Sequence, residues 1–454
     1  MRNISHVQIK NKGTDMITKT KRLSRIQTTA ISLLLIAGVV NYLDRSTLSI
    51  ANHSVSQDLG LSASEMGLLL SAFSFAYAFS QLPVGILLDK LGARVMLGLG
   101  MFVWSTAQFC GGLVTNLTQF VIARIALGVG EAPNFPAGMK VVSEWFGTHE
   151  RGRPTGIFIA STTIGPALAP PILTALLITF GWREMFMIMG AFGIAVSISW
   201  YIIYRDRKNV DLTHEELEYL DDKRPGMIGE QKLTMAEWRR LFLSSTTWGM
   251  IVGNAGIIYM LWLYLTWLPA YLERERHLSL ADTGWLVSIP YLVGTLGMVL
   301  SGFIADALLA RGASPINSRK WPICIGLLGG AAFTVPAAFT PNLVLAMTYL
   351  SLAMFFVQMA CGASWALVTV IVPRHQSASL ASIQNFGGYF GGSFAPFITG
   401  VVVDRTHSFV TAFLISAGIA LIAAAVYALV VRKRVDSSDN ERTPEVSTTT
   451  PQNS

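Results

Sequence analysis

The chain has 454 residues, of which 52% are hydrophobic and only 13% charged, and its mean hydropathy is +0.49. Because a soluble protein carries about 25% charged residues, this composition excludes a soluble two-domain enzyme and indicates a polytopic membrane protein. The formal net charge is +7, but it is not gathered into a basic patch with interleaved aromatic residues, so no nucleic-acid partner is expected.

Both ends of the chain are polar. Residues 1–26 are basic and lack the apolar core and small-residue cleavage site of a secretory signal, and residues 432–454 are rich in Ser, Thr and Pro. Such segments cannot bury enough apolar surface to fold, so both are predicted to be disordered tails. The three cysteines, Cys110, Cys324 and Cys361, lie within apolar runs and show no disulfide or metal spacing.

Twelve stretches between the tails are apolar enough to cross a bilayer, which takes about 20 residues per helix. They are predicted at 28–51, 66–88, 95–114, 117–140, 154–179, 184–204, 246–271, 284–309, 321–339, 342–366, 378–402 and 408–431. The long polar segment 205–245 divides them six and six, which predicts an N-terminal half at 27–204, a linker, and a C-terminal half at 246–431. A short amphipathic helix is predicted at 213–220 within the linker.

The positive charges predict the orientation of the chain. If the N-terminus is cytoplasmic, nearly all Lys and Arg residues fall in the tails, the linker and the loops on the same side. Only four then face the opposite side, namely Arg183, Arg274, Arg276 and Arg405. Since cytoplasmic loops carry an excess of Lys and Arg, this partition predicts that both termini are cytoplasmic.

Asp44 and Arg45 stand side by side within the first predicted span, in the segment VVNYLDRSTLSIA at 39–51. A charge near the bilayer centre costs several kcal/mol, so such residues usually face a bundle interior or a wet cavity. The alternative is that both lie at the membrane edge and anchor the helix. Their side chains point about 100° apart on a helix, so the two are expected to have different tasks.

The fourth predicted span carries Arg124 and Glu131, which are seven residues apart and therefore on one helical face. An opposite charge favours the ionised carboxylate and burial favours the protonated one, so a Glu131 supported by Arg124 is suited to taking up and releasing a proton. The alternative is a structural ion pair. Pro133 and Pro136 follow directly and are expected to break or kink this helix.

The C-terminal half has no ionisable residue in the middle of its spans. It offers neutral polar and aromatic groups instead: Asn254, Tyr259, Trp262, Tyr264, Gln358, Ser364, Trp365, Gln384 and Asn385. This division suggests that one half handles charge and protons and the other handles hydroxyl groups. Gln384 and Asn385 are adjacent, so at most one of them is expected to face the centre of a cavity.

The two halves share a loop pattern. GILLDKLGAR at 85–94 and GFIADALLARG at 302–312 both place a Gly four residues before an Asp, which suggests a duplicated six-span unit. Gly85 would let helix ends pack closely. Asp89 and Asp306 could cap or pair with basic residues of neighbouring helix ends. We expect Gly85, Asp89, Arg94 and Asp306 to act in gating.

Twelve spans, a central cytoplasmic linker and the segment GILLDKLGAR at 85–94 resemble the pattern of the major facilitator superfamily. Together with NYLDRSTLSIA, ARIALGVGEAPNFPAG at 123–138 and SEWFGTHERGRPTG at 143–156, they resemble its anion:cation symporter branch, over residues 28–431. The resemblance implies an all-α fold of twelve transmembrane helices in two pseudo-symmetric six-helix halves. It also implies proton-coupled uptake of a sugar acid anion, a galactonate-type hexonate first, by a monomer in the bacterial inner membrane. A hexuronate or hexarate carrier, or a drug or osmolyte exporter, is the alternative.

The resemblance also implies roles for individual residues. Asp44, Glu131 and Arg124 would couple protons and Arg45 would bind the substrate carboxylate. The other predicted substrate contacts are Tyr42, Tyr77, Thr162, Ser364, Trp365 and Asn385, although both tyrosines could be aromatic core packing. Thr162 and Gly362 depart from the Gln and Ser expected in galactonate carriers, which puts hydroxyl recognition in doubt. No catalytic set, cofactor motif or metal cluster is apparent, so we expect no enzymatic activity and no cofactor.

Overall fold

A computed structural model of the protein describes residues 19–147, 150–220, 239, 241–372 and 374–435, and these residues are almost entirely helical. The helices are α1 (Lys21–Ile50), α2 (Asn52–Leu59), α3 (Ala63–Gly111), α4 (Leu117–Glu131), α5 (Asn134–Trp145), α6 (Gly152–Phe180), α7 (Trp182–Ile203), α8 (His214–Leu220), α9 (Ser245–Arg274), α10 (Leu280–Leu286), α11 (Ser288–Ala310), α12 (Pro315–Phe339), α13 (Leu343–Ile371), α14 (Arg374–Gly392), α15 (Phe394–Thr406) and α16 (Val410–Val430). Within this part of the chain, ten helical segments are long and apolar enough to cross a membrane.

The predicted all-α architecture with twelve crossings is confirmed. The long helix α3 supplies the second and third crossings, because Gly92 interrupts it with a φ of 82° and a ψ of 165°. This backbone conformation suits glycine, and a Cβ at Gly92 would come within 2.5 Å of Asp206 Oδ2. The helix pairs α4–α5, α10–α11 and α14–α15 each make one crossing.

The helix of the fourth crossing is interrupted at a proline, as the sequence predicted. Helix α4 ends at Glu131 and α5 begins at Asn134, with Pro133 between them. Helix α1, by contrast, begins at Lys21, so residues 21–26 are helical although the sequence analysis assigned them to a disordered tail. The rest of that tail up to residue 18, residues 436–454, and linker residues 221–238 and 240 lie outside the described residues.

The amphipathic helix predicted in the linker is present as α8, and it docks against the starts of α1 and α6. Thr20 Oγ1 donates a hydrogen bond to Glu216 Oε1 over 2.6 Å, and Arg22 Nη2 donates one to the Asp211 carbonyl over 3.0 Å. Tyr219 donates a 2.5 Å hydrogen bond to Glu150, just before α6. The described part of the linker is therefore a structured cap on this end of the bundle.

The two predicted halves are joined at the end of the bundle opposite the linker. Asp404 of α15 accepts hydrogen bonds from the backbone N–H groups of Ala63 (2.8 Å) and Ser64 (2.7 Å) at the start of α3. Ser49 of α1 donates to the Thr266 carbonyl of α9 over 2.9 Å. The seam between the halves is therefore closed at the end remote from the linker.

Candidate functional site

Arg45 and Glu131 form a buried ion pair at the centre of the predicted N-terminal half. Arg45 Nε lies 2.6 Å from Glu131 Oε2, and the two side chains are 2% and 0% exposed. Residues 43–50 of α1 are all buried, so Asp44 and Arg45 enter the bundle interior as predicted. Their burial argues against the alternative that the two side chains anchor the helix at the membrane edge.

The partner of Glu131 differs from the expected one. Spacing along α4 suggested that Arg124 would support the carboxylate, but Arg45 from α1 makes the ion pair. Arg124 is 2% exposed, and its Nε and Nη1 atoms have no hydrogen-bond partner among the described residues. It lies over the Phe73 ring at 4.9 Å and is still close enough to Glu131 and Asp44 to interact with both electrostatically.

An aromatic cage surrounds the Arg45 guanidinium. Its central carbon lies 5.0 Å from the ring centroid of Tyr42, 5.3 Å from Phe73 and 4.6 Å from Tyr77. A cation within about 6 Å of an aromatic ring is attracted by the ring quadrupole. The cage therefore helps to stabilise the positive charge of Arg45 in its buried position.

Several polar atoms around this ion pair are buried and lack a hydrogen-bond partner among the described residues. They are both carboxylate oxygens of Asp44, both side-chain polar atoms of Asn41, Oε1 of Glu131 and Nη2 of Arg45. Buried polar groups are rarely left unsatisfied, and internal water is a common partner. Asn41 was missed in the sequence, although it lies one helical turn before Arg45 within an apolar run.

Ser364 belongs to a buried hydrogen-bond network inside the C-terminal half. Gln384 Nε2 donates to Ser364 Oγ over 2.8 Å, Ser364 Oγ donates to Asn254 Oδ1 over 3.2 Å, and the Tyr427 hydroxyl approaches Ser364 at 3.4 Å. Gln384 is thereby turned into the helix bundle, whereas Asn385 is only partly buried. The two side chains point apart, as expected.

Three other positions of the predicted substrate site differ in their surroundings. Trp365 is 44% exposed, and Thr162 of α6 is partly exposed. A Cβ at Gly362 would meet Ser301 Oγ at 2.5 Å and the Met298 carbonyl at 3.0 Å. Gly362 therefore faces the contact between α13 and α11, which makes it a packing residue rather than a cavity-lining one.

The predicted gating residues differ in their contacts and in their exposure. Asp89 pairs with Lys140 Nζ at 3.1 Å, which confirms its expected pairing with a basic residue of a neighbouring helix end. Arg94 donates two hydrogen bonds, of 3.0 and 2.8 Å, to the Tyr201 carbonyl near the end of α7. Asp306 is exposed. The close packing expected at Gly85 is absent, because nothing lies within 4 Å of where its Cβ would be.

The described residues contain no group of three or more His, Cys, Asp or Glu side chains that could hold a metal ion. What the arrangement can do chemically follows from the ion pair. A buried carboxylate neutralises a buried guanidinium, and protonation of that carboxylate would release the guanidinium to another anion.

Comparisons of this chain with known proteins find similarity to membrane transporters. The sequence model described as Major Facilitator Superfamily matches residues 34–396 and 316–452. An Escherichia coli K12 protein named "Probable L-galactonate transporter" is 46% identical over 423 residues, which cover 93% of each chain. The D-galactonate transporter of Escherichia coli O6:H1 is 30% identical over 408 residues, covering 88% of this chain and 94% of the relative.

A solved structure has the same fold. It is the bacterial homolog of the human lysosomal transporter Spinster, in an inward-facing and unoccupied conformation, with a TM-score of 0.77. The match covers 92% of this chain and 98% of that chain at 18% identity. At this identity the likeness shows a shared fold alone.

Proposed function

Because this chain belongs to the major facilitator superfamily and is a multi-pass membrane transporter rather than an enzyme, we propose that it carries a sugar acid anion together with protons. The first candidate is a hexonate such as L-galactonate, since a relative of that name is 46% identical over 93% of the chain. Uptake would occur across the bacterial inner membrane, with the linker and both termini in the cytoplasm and the monomer as the working unit.

The observation that carries this proposal is the buried pair of Arg45 and Glu131. A guanidinium binds a carboxylate through two parallel hydrogen bonds, so Arg45 suits the acid group of the substrate. Its Nε is engaged by Glu131 at 2.6 Å. A substrate carboxylate therefore competes with Glu131 for the same cation.

This competition couples the binding of the anion to the binding of a proton. If the substrate displaced an ionised Glu131, that buried charge would lose its partner, and breaking a buried pair in this way costs about 3–5 kcal/mol. Protonation neutralises Glu131 and removes this cost. Anion binding is then favoured by proton binding, and linkage makes the effect reciprocal.

Asp44 is the second proton-binding residue in this proposal. Its two oxygens make no hydrogen bond of standard geometry among the described residues, and its neighbours are Trp104, Glu131 and Arg124. A carboxyl group that is buried without a partner favours its neutral form. Arg124 would balance the remaining charge as protons enter and leave.

Transport follows by alternating access, in which the two halves rock around the site. The seam is closed at the end opposite the linker through Asp404 and Ser49. If the linker is cytoplasmic, the closed end is the outer one, as expected of a state that releases the anion and its protons into the cell.

The test is uptake of labelled L-galactonate by purified protein in liposomes, with the outside made acidic. We expect accumulation that requires the pH gradient and collapses with a proton ionophore. Unlabelled D-galactonate, galacturonate, galactarate and uncharged galactose serve as competitors. The strongest competitor identifies the substrate class, and galactose should not compete. If labelled L-galactonate is not accumulated, and none of the other acids is accumulated when it is supplied in labelled form, the proposed function is wrong.

A further inference from the structure

We propose that Tyr389 of α14 is a binding residue for the substrate carboxylate, and that its phenol hydroxyl donates a hydrogen bond to the anion held by Arg45. This inference rests on the proposed function. It adds a residue of the C-terminal half to a carboxylate site that otherwise consists of residues from the N-terminal half.

Tyr389 reaches the aromatic cage of Arg45 from the opposite half of the protein. Its ring centroid lies 5.0 Å from that of Tyr77 and 6.4 Å from that of Trp262. Tyr77 in turn lies 4.6 Å from the Arg45 guanidinium. Tyr389 thus forms the next layer of the cage, on the side that the C-terminal half provides.

The phenol groups of three helices gather near one cation. Tyr42 from α1 and Tyr77 from α3 lie against the Arg45 guanidinium, and the Tyr389 ring of α14 lies 5.0 Å from the Tyr77 ring. Tyr389 is only partly buried, so a ligand in the site can reach it. A phenol is a hydrogen-bond donor, and the neighbouring guanidinium makes a carboxylate the matching ligand.

Close helix packing directs Tyr389 toward this site. The glycines of α14 press against α9, and a Cβ would lie 2.5 Å from Ile251 at Gly387, from Ala255 at Gly391 and from Ile258 at Gly392. Asn385 precedes Tyr389 by four residues, which places both on one face of the helix. Asn385 is a predicted substrate contact, so the same face carries both side chains.

A hydrogen-bond donor from the C-terminal half allows the bound substrate to affect how the two halves are positioned. One carboxylate that touches both Arg45 and Tyr389 links the two halves directly. A ligand shifts a conformational equilibrium by its differential affinity for the two states, so this link favours the state in which the halves meet around the anion. The C-terminal half would then recognise the acid group as well as the hydroxyl groups.

The experiment compares the affinity for L-galactonate of purified wild-type protein and Tyr389→Phe. This variant keeps the ring and removes only the hydroxyl. Because a hydrogen bond to a charged group is lost, we expect affinity to fall about tenfold or more. Tyr349→Phe is the matched control, since Tyr349 stacks on Phe333 at 6.3 Å and its loss of a hydroxyl should leave affinity unchanged.

A second variant separates hydrogen bonding from packing. Tyr389→His keeps a ring N–H donor and should retain more affinity than Tyr389→Phe. The unfolding midpoint of each unliganded variant shows whether it is folded. Wild-type affinity in Tyr389→Phe, or weaker binding by Tyr389→His than by Tyr389→Phe, would overturn this inference alone. Failure of the wild-type protein to bind any sugar acid would instead overturn the proposed function.

Discussion

The Nε atom of Arg45 lies 2.6 Å from Oε2 of Glu131, and both side chains are buried. The protein therefore presents its own carboxylate to the guanidinium that a sugar acid would need. The two residues come from different helices, α1 and α4, so any movement of one helix against the other changes this pair. The first two predictions concern what happens when either partner is altered.

Glu131→Gln removes the competing charge and mimics the protonated residue. Arg45 is then free at every pH, so the variant should bind L-galactonate at pH 8 at least as tightly as the wild-type protein. It should exchange substrate across liposomes but fail to accumulate it under a pH gradient, because the proposed proton site at Glu131 is gone. Glu184→Gln, at an exposed position, is the control. Full gradient-driven accumulation by Glu131→Gln would show that Glu131 is only a structural partner.

Arg45→Lys retains the positive charge and loses the planar group that fits a carboxylate bidentately. We expect affinity for the acid to fall about tenfold, in keeping with the loss of one charged hydrogen bond. Binding to folded, purified protein is the measurement, with Arg183→Lys at the surface ion pair with Asp58 as control. Unchanged affinity would mean that Arg45 does not hold the carboxylate.

Gly362→Ser tests whether Gly362 is a packing residue between α13 and α11. The new Cβ would crowd Ser301 Oγ at 2.5 Å and the Met298 carbonyl at 3.0 Å, and overpacking of this kind costs about 1–3 kcal/mol. The unfolding midpoint in detergent should therefore fall. Gly418→Ser is the control, because nothing lies within 4 Å of the Cβ position there. A changed order of preferred substrates at unchanged stability would return Gly362 to the substrate site.

Asp404→Asn should loosen the closed end of the seam. The Asp404 carboxylate accepts hydrogen bonds from the free N–H groups of Ala63 and Ser64 at the start of α3, where the helix dipole favours a negative charge. Its neutral replacement should lengthen the distance between spin labels placed at positions 60 and 407. Glu184→Gln, at an exposed position without a predicted role in gating, is the control. Identical distance distributions would show that the hydrogen bonds of Asp404 do not hold the seam closed.

The docking of linker helix α8 should depend on pH. Hydrogen bonds from Thr20 and from the Thr213 backbone hold the pKa of Glu216 below its usual value. Since the folded pKa is lowered, the stabilisation is present above the ordinary carboxyl pKa of about 4.3 and is lost as the pH falls through the lower folded value. Glu216→Gln should therefore speed backbone hydrogen exchange in 214–220 at pH 7, and the exposed Glu215→Gln should not. Equal exchange in both variants would refute this docking.

The sequence by itself determined the crossings and one of their interruptions, whereas the breaks between α10 and α11 and between α14 and α15 were not predicted. Apolar length predicts a membrane helix, and this is a local property that needs no partner. The break at Pro133 is also local, because proline lacks the N–H group that would continue the helix. The burial of Asp44 and Arg45 followed from their place inside an apolar run. The early start of α1 at Lys21 was missed, because the residues of its first turns are polar enough to resemble a tail.

Only the tertiary structure decided which side chains meet. Spacing along α4 placed Arg124 and Glu131 on one face, yet the crossing of α1 brought Arg45 to the carboxylate instead. In the same way, the packing of α14 on α9 turned Tyr389 toward the cage, and the approach of α11 made Gly362 a packing residue. Periodicity determines the face of a helix on which a residue lies. The neighbour on that face depends on how helices distant in sequence cross.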